Sequence, residues 1–190
     1  MRIFIAIELN EEMHNKLAAI QSKLKPAGAD VKWVEPQNIH LTLKFLGETP
    51  PEKIEKIKNT LDAIAANTNT FNISLSQIGA FPNINSPRVI WVGIKDVGAP
   101  CNVTLLASEI ENELAKLGFP KEDRPFSAHL TLGRVRSPKD RERLKEQITS
   151  SATLWRDFAM TVSTITLFQS TLTPKGPIYT ALHKSNLKAT

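Results

Sequence analysis

The tetrapeptide His-Leu-Thr-Leu occurs twice in this chain, at residues 40–43 and again at residues 129–132. In each copy polar and apolar residues alternate, which is typical of a β-strand with one buried face. Because successive side chains on a strand point to opposite faces, the histidine and the threonine of each copy share one face and the two leucines share the other. Each motif strand therefore offers an imidazole and a hydroxyl on one face, and leucines to a hydrophobic core on the other.

The paired histidines, His40 and His129, are suited to acid–base catalysis. The unperturbed pKa of histidine, about 6.5, allows one imidazole to be neutral and another protonated near neutral pH. On opposite sides of a reacting phosphorus, one could take a proton from the nucleophile while the other gives a proton to the leaving oxygen. Thr42 and Thr131 could donate hydrogen bonds to the remaining phosphate oxygens, or could simply be β-formers. The four residues fit phosphoryl chemistry without a metal.

Two cations near the motifs are further candidates for binding a phosphate. Lys44 shares the face of His40 by strict alternation and could reach a phosphate, with a surface lysine as the alternative. Arg134 would fall on the leucine face, unless a β-bulge at Gly133 turns it to the histidine face. Alternation also places Phe45 on the leucine face and so predicts that it lies in the core. Three other aromatic residues are open candidates for base stacking: Trp33, Trp91 and Phe126.

The elements around the motifs repeat along the chain. Apolar spacing predicts strand, helix, motif strand, helix and strand in each half, with the first helix beginning near the N-cap residue Asn10. One last strand of the second half is predicted over residues 158–167, and a final strand over 178–183 has no counterpart in the first half. Three landmarks recur at offsets of 86, 89 and 87 residues: Arg2, His40 and Phe71 correspond to Arg88, His129 and Phe158.

This order predicts an α+β fold with two pseudo-symmetric lobes, in which facing antiparallel sheets line a central cleft and helices lie outside. We expect residues 1–190 to form a single bilobal domain that arose by an internal duplication of about residues 2–81 and 88–170. If a pseudo-twofold axis relates the lobes, His40 and His129 face each other across the cleft.

Composition narrows the class of protein. With 190 residues, 41% of them hydrophobic and 23% charged, the chain is expected to fold, and no apolar run is long enough to span a membrane. Residues 1–9 are predicted to be a strand rather than a leader peptide, so we expect a cytoplasmic protein.

A single cysteine excludes an internal disulfide, and four scattered histidines predict no metal site and no cofactor. The net charge of +5 favours an anionic partner only weakly, and nothing demands an oligomer or an obligate protein partner, so we expect a monomer.

The motifs also resemble those of a known superfamily. The two His-x-Thr-x motifs, the segments at 31–36, 79–82 and 87–91, and Gly133-Arg134 are similar to the two-histidine phosphoesterases, in particular to RNA 2′,3′-cyclic phosphodiesterases, formerly called 2′-5′ RNA ligases. The resemblance runs from Arg2 to about Tyr179. One departure is Ala128, where members often have proline, and it affects the entrance of the strand rather than the chemistry.

The resemblance implies hydrolysis of 2′,3′-cyclic phosphate ends of RNA or nucleotides to 2′-phosphate ends, without ATP or metal. It makes His40 the general acid that protonates the leaving 3′-oxygen and His129 the base that activates water. Thr42 and Thr131 would hold phosphate oxygens, and the same geometry could join a cyclic phosphate end to a 5′-hydroxyl through a 2′-5′ bond. Two alternatives remain: a module that binds a nucleotide or an RNA end without turnover, and a cyclic phosphodiesterase of the tRNA-splicing or ADP-ribose type.

Overall fold

The computed structural model describes residues 1–98, 102–151, 158–174 and 176–189. Within these ranges the chain forms nine β-strands and four α-helices. The strands are β1 (Arg2–Ile7), β2 (Val31–Trp33), β3 (Leu41–Glu48), β4 (Phe71–Phe81), β5 (Val89–Val97), β6 (His129–Val135), β7 (Ala159–Val162), β8 (Thr164–Thr173) and β9 (Gly176–Asn186). The helices are α1 (Glu11–Leu24), α2 (Ile54–Asn67), α3 (Asn102–Lys116) and α4 (Arg141–Ser151), and short 3-10 helices cover Lys25–Ala27, Pro36–Asn38 and Pro51–Lys53.

The first helix begins where the sequence predicts. The side chain of Asn10 caps α1 by accepting a hydrogen bond of 2.8 Å from the backbone N–H of Met13. After α1 the chain tightens into the 3-10 helix at 25–27, and Gly28 ends it with a φ of 75°, a conformation that glycine adopts without steric cost. Local signals therefore set both ends of this helix.

Two antiparallel sheets form the framework. The first sheet has the strand order β3-β1-β8-β9, and the second sheet has the order β2-β6-β5-β4-β7. In both sheets a motif strand lies at or next to an edge and pairs with the first strand of its own half, β3 with β1 and β6 with β5. The predicted α+β fold with two antiparallel sheets is confirmed.

The two sheets are interleaved rather than built from one half each. Strand β4 of the first half joins the second sheet, and β8 of the second half joins the first sheet, so that the orders β3-β1-β8 and β6-β5-β4 correspond. The prediction of one strand over 158–167 is wrong, because the chain leaves the second sheet after β7 and enters the first at β8. Lobes and sequence halves therefore differ, although the duplication itself stays a prediction.

Helices cover the outer faces of the sheets. Helices α2 and α3 pack together, with α2 against β8 and β9 and α3 against β3, while α4 packs against β4 and beside α1. The buried amide of Gln21 on α1 donates hydrogen bonds of 2.7 Å and 2.9 Å to the carbonyls of Val34 and Leu132, which joins α1 to the second sheet. The leucines of both motifs are fully or almost fully buried in one large core. Over the described residues, no helix is long and apolar enough to cross a membrane.

Candidate active site

The two motif histidines are held in the same way. The Nδ1–H of His40 donates to the carbonyl of Asn38 at 2.9 Å, and the Nδ1–H of His129 donates to the carbonyl of Ser127 at 2.6 Å. A carbonyl oxygen can only accept, so Nδ1 carries the hydrogen in both rings and Nε2 is the nitrogen that can take up or release a proton. In each case the acceptor lies two residues before the histidine, which fixes the ring at the entrance of its strand.

The surroundings of the two imidazoles differ. His40 stacks on Phe4 with ring centroids 4.7 Å apart and planes 26° apart. The edge of Tyr179 meets the same imidazole at 5.1 Å and 90°. His129 has one aromatic neighbour among the described rings, Phe81, at 5.0 Å and 90°. Burial lowers the pKa of His40 below its ordinary value of 6.5, and the hydrogen bond to Asn38 opposes this shift.

Each motif strand carries a β-bulge directly after its threonine. In β3, Thr42 pairs with Ala6 and Lys44 with Ile5, which leaves Leu43 as an extra residue. In β6, Thr131 pairs with Trp91 and Gly133 with Ile90, which leaves Leu132 as the extra residue. A bulge of this kind reverses the alternation of the residues that follow it.

The bulge in β3 overturns two predictions from strict alternation. The prediction that Lys44 shares the face of His40 is wrong, because the lysine side chain is turned inward and is only 1% exposed. Its Nζ lies 2.6 Å from Oε2 of Glu111 and donates to the carbonyl of Pro120 at 2.9 Å. The prediction that Phe45 lies in the core is also wrong: it is 61% exposed and its ring centroid lies 5.9 Å from that of Phe4.

The corresponding bulge in β6 is the one that the sequence suggested at Gly133. Beyond it, Arg134 pairs with Val89, so it lies on the same face of the sheet as Trp91 and Thr131, and its side chain is exposed. The backbone at Gly133 lies close to β2, because a Cβ built there would be 2.6 Å from Cγ1 of Val31. Glycine at this position therefore permits both the bulge and the close pairing with β2.

The two threonines lie on the expected faces. Thr42 pairs with Ala6, on the face of β1 that carries Phe4, and Thr131 pairs with Trp91. Both threonines are half-buried. The aromatic ring of Trp91 covers Gly79, where a Cβ would be 2.5 Å from the indole, and its centroid lies 5.1 Å from that of Phe81. Two of the other aromatic candidates, Trp33 and Phe126, pack against the hydrophobic core.

Tyr179 is a site residue that the motif analysis missed. It comes from β9, the strand without a counterpart in the first half, so neither the repeat nor its periodicity indicates it. Burial raises the pKa of Tyr179, and the charges of Arg134 and Arg2 act in the opposite direction. Because Arg134 is on the second sheet and Arg2 on the first, residues of both sheets converge near the His40 side of the site. Some Cα atoms of β3 and β6 lie within 8 Å of each other.

Comparison with known proteins assigns the family. A model described as LigT like phosphoesterase matches residues 7–91 and 97–179, and each stretch contains one histidine motif. The chain belongs to the LigT-like phosphoesterase family. An RNA 2′,3′-cyclic phosphodiesterase from Methanothermobacter thermautotrophicus is 38% identical to this LigT-like phosphoesterase over 180 residues, which are 95% of each chain.

Two solved structures show the same fold for this LigT-like phosphoesterase. The crystal structure of a Thermus thermophilus protein has a TM-score of 0.83 at 30% identity, and the match covers 100% of this chain and 99% of that one. E. coli LigT in complex with 3′-AMP has a TM-score of 0.77 at 27% identity, covering 98% and 97% of the two chains. In the part of the chain that the structure describes, no three His, Cys, Asp or Glu side chains come together as a possible metal site.

Proposed function

We propose that this chain hydrolyses 2′,3′-cyclic phosphate ends of RNA to 2′-phosphate ends by general acid–base catalysis with His40 and His129. The observation that carries the proposal is the matched anchoring of the two imidazoles, each with Nδ1–H bound to a backbone carbonyl and Nε2 left for proton exchange. The names of the relatives support the substrate class: the Methanothermobacter protein is an RNA 2′,3′-cyclic phosphodiesterase, and E. coli LigT was crystallised with 3′-AMP.

In the proposed reaction, Nε2 of His129 takes a proton from water as the water oxygen attacks phosphorus. The bond between phosphorus and the 3′-oxygen breaks, and Nε2 of His40 gives its proton to that oxygen. The products are a 2′-phosphate and a free 3′-hydroxyl, and exchange with solvent restores the two histidines. Thr42 and Thr131 donate hydrogen bonds to the non-bridging oxygens, and Arg134 neutralises part of their charge. With a 5′-hydroxyl in place of water, the same steps form a 2′-5′ bond.

The low pKa of His40 bears on its proposed role as the acid. Burial favours the neutral imidazole in the free protein. A bound phosphate carries a negative charge, which favours the protonated form of a neighbouring imidazole. Under this proposal, substrate binding favours protonation of His40. Because its pKa is lowered by burial, the protonated imidazole then gives its proton readily to the leaving oxygen.

The experiment is incubation of the purified protein, in EDTA, with a short RNA that ends in a 2′,3′-cyclic phosphate. Separation of the 2′-phosphate and 3′-phosphate products reports which oxygen leaves. The 2′-phosphate alone is expected, and activity that disappears in EDTA would refute metal independence. Saturable binding of the RNA with no product would instead assign the site to a binding module, in which the histidines act only as ligands.

A further inference from the structure

Beyond Thr131, the face of the second sheet that carries His129 continues as a row of cations. Lys32 of β2 pairs with Arg134 of β6 in register, so their side chains share one face. Arg136 follows two residues after Arg134, and its backbone N–H still bonds to the carbonyl of Asp30 at 2.9 Å, which continues the ladder. We call Lys32, Arg134 and Arg136 the basic row. All three side chains are exposed.

The basic row is not neutralised by close ion pairs. Among the described residues, no carboxylate oxygen lies within 4.0 Å of a side-chain nitrogen of Lys32, Arg134 or Arg136. Asp30, opposite Arg136, is the one acid that the ladder places beside the row within the described part of the chain. The row therefore keeps a net positive charge that is available to an anionic partner.

The basic row is continuous with the candidate site. Burial raises the pKa of Tyr179, whose ring contacts His40, and the charge of Arg134 opposes this rise. The charge of Arg2, on the first sheet, opposes the rise in the pKa of the same tyrosine. The cations thus begin beside the proposed position of the cyclic phosphate and extend away from His129 along β6. Residues two apart on a strand are about 6.5 Å apart and neighbouring strands about 4.8 Å, so the row offers several charges within reach of one short, extended polyanion.

We propose that Lys32 and Arg136 form a subsite for the phosphates of the RNA strand that precede the cyclic phosphate. The inference rests on the proposed function and goes beyond it, because it makes an oligonucleotide, rather than a mononucleotide, the preferred substrate. Lysine and arginine bind phosphates by charge and release condensed counterions, so the subsite acts without regard to base sequence. Arg134 remains at the reacting phosphate, while Lys32 and Arg136 contact only the flanking ones.

The test compares a nucleoside 2′,3′-cyclic phosphate with a tetranucleotide that ends in the same group. The variant is Lys32→Gln with Arg136→Gln, and the matched control is Lys56→Gln with Arg143→Gln, which removes the same charge from exposed positions on α2 and α4. For the test variant, kcat/KM on the tetranucleotide is expected to fall about tenfold or more at low salt. The slope of log kcat/KM against log salt concentration should become shallower by about 1.4, because each lost contact with a single-strand phosphate removes about 0.7 from the slope. The mononucleotide should be turned over as before.

Several outcomes would overturn the inference while leaving the proposed function in place. One is an equal loss of kcat/KM in the test and control variants, and another is an equal loss of kcat/KM on both substrates. A third is a native protein that does not prefer the tetranucleotide. If the native protein turns over neither substrate, the proposed function itself fails.

Discussion

The ring edge of Tyr179 lies against the imidazole of His40, with ring centroids 5.1 Å apart and planes at 90°. Among the described rings, His129 has one neighbour, Phe81 of β4, whereas His40 lies against both Phe4 of β1 and Tyr179 of β9. Two histidines that the repeat makes equivalent are therefore placed in unequal surroundings. The more enclosed one has a lowered pKa because burial disfavours its charged form.

Replacing Tyr179 by alanine should raise the pKa of His40 towards its ordinary value of 6.5, because the imidazole becomes more hydrated. Titration of the histidine C–H signals by NMR measures the change. Tyr179→Phe keeps the ring and should leave the pKa of His40 low. An unchanged titration of His40 in Tyr179→Ala would show that this ring does not control its hydration.

The same burial predicts how stability depends on pH. Because the folded pKa of His40 lies below its unfolded value, the folded state binds this proton less readily. His40 therefore lowers the free energy of unfolding at acidic pH. This loss of stability is absent above pH 6.5, begins as the pH falls below the unfolded pKa, and grows until the pH reaches the folded pKa. Urea unfolding between about pH 7 and pH 5 measures it. The free energy of unfolding should fall less steeply with decreasing pH in His40→Asn. If it falls as steeply as in the native protein, groups other than His40 cause the pH dependence.

Replacing either His40 or His129 by alanine should lower kcat for the cyclic phosphate at least about 100-fold, since each removes one proton-transfer step. His183→Ala is the control. His183 lies on the face of β9 that packs against α2, where its Nε2 is 2.7 Å from Oδ1 of Asp62. Its loss should leave turnover unchanged. Circular dichroism must show that all three variants are folded. Native turnover in either motif variant would contradict the assignment of the pair.

Lys44 should matter for stability rather than for substrate binding. Lys44→Met leaves the carboxylate of Glu111 without its cation and removes a donor to the carbonyl of Pro120. Loss of one partner of such a buried pair costs about 3 kcal/mol. Urea unfolding should show this loss, while KM for a nucleoside 2′,3′-cyclic phosphate stays the same. A large rise in KM without a loss of stability would restore the role that strict alternation predicted for this lysine.

Gly79 should tolerate no side chain while Trp91 covers it. A Cβ at this position would lie 2.5 Å from Cζ2 of the indole, so Gly79→Ala must displace the ring or the strand. Forcing atoms into a packed site costs about 1–3 kcal/mol. Thermal unfolding should show the loss, and the additional change Trp91→Leu should recover part of it. Full stability of Gly79→Ala would mean that the indole moves freely.

Local patterns accounted for much of the framework. Alternation within His-Leu-Thr-Leu placed the leucines in the core and each histidine with its threonine on the other face, and Asn10 capped the first helix. These features depend on neighbours within a few residues, so the chain determines them locally. Alternation failed at Lys44 and Phe45, because a bulge depends on the strand that pairs with β3 and not on β3 alone.

By itself, the sequence determined that this protein carries two equivalent histidine–threonine strands suited to acid–base chemistry. Only the tertiary structure decided that β4 and β8 are exchanged between the sheets, that Lys44 is turned inward to Glu111, and that Tyr179 encloses one histidine. The physical reason is the range of the interactions. Strand periodicity and helix caps act between residues close in the chain, whereas strand partners, burial and the pKa of His40 depend on residues far apart in sequence, such as Tyr179, that folding brings together.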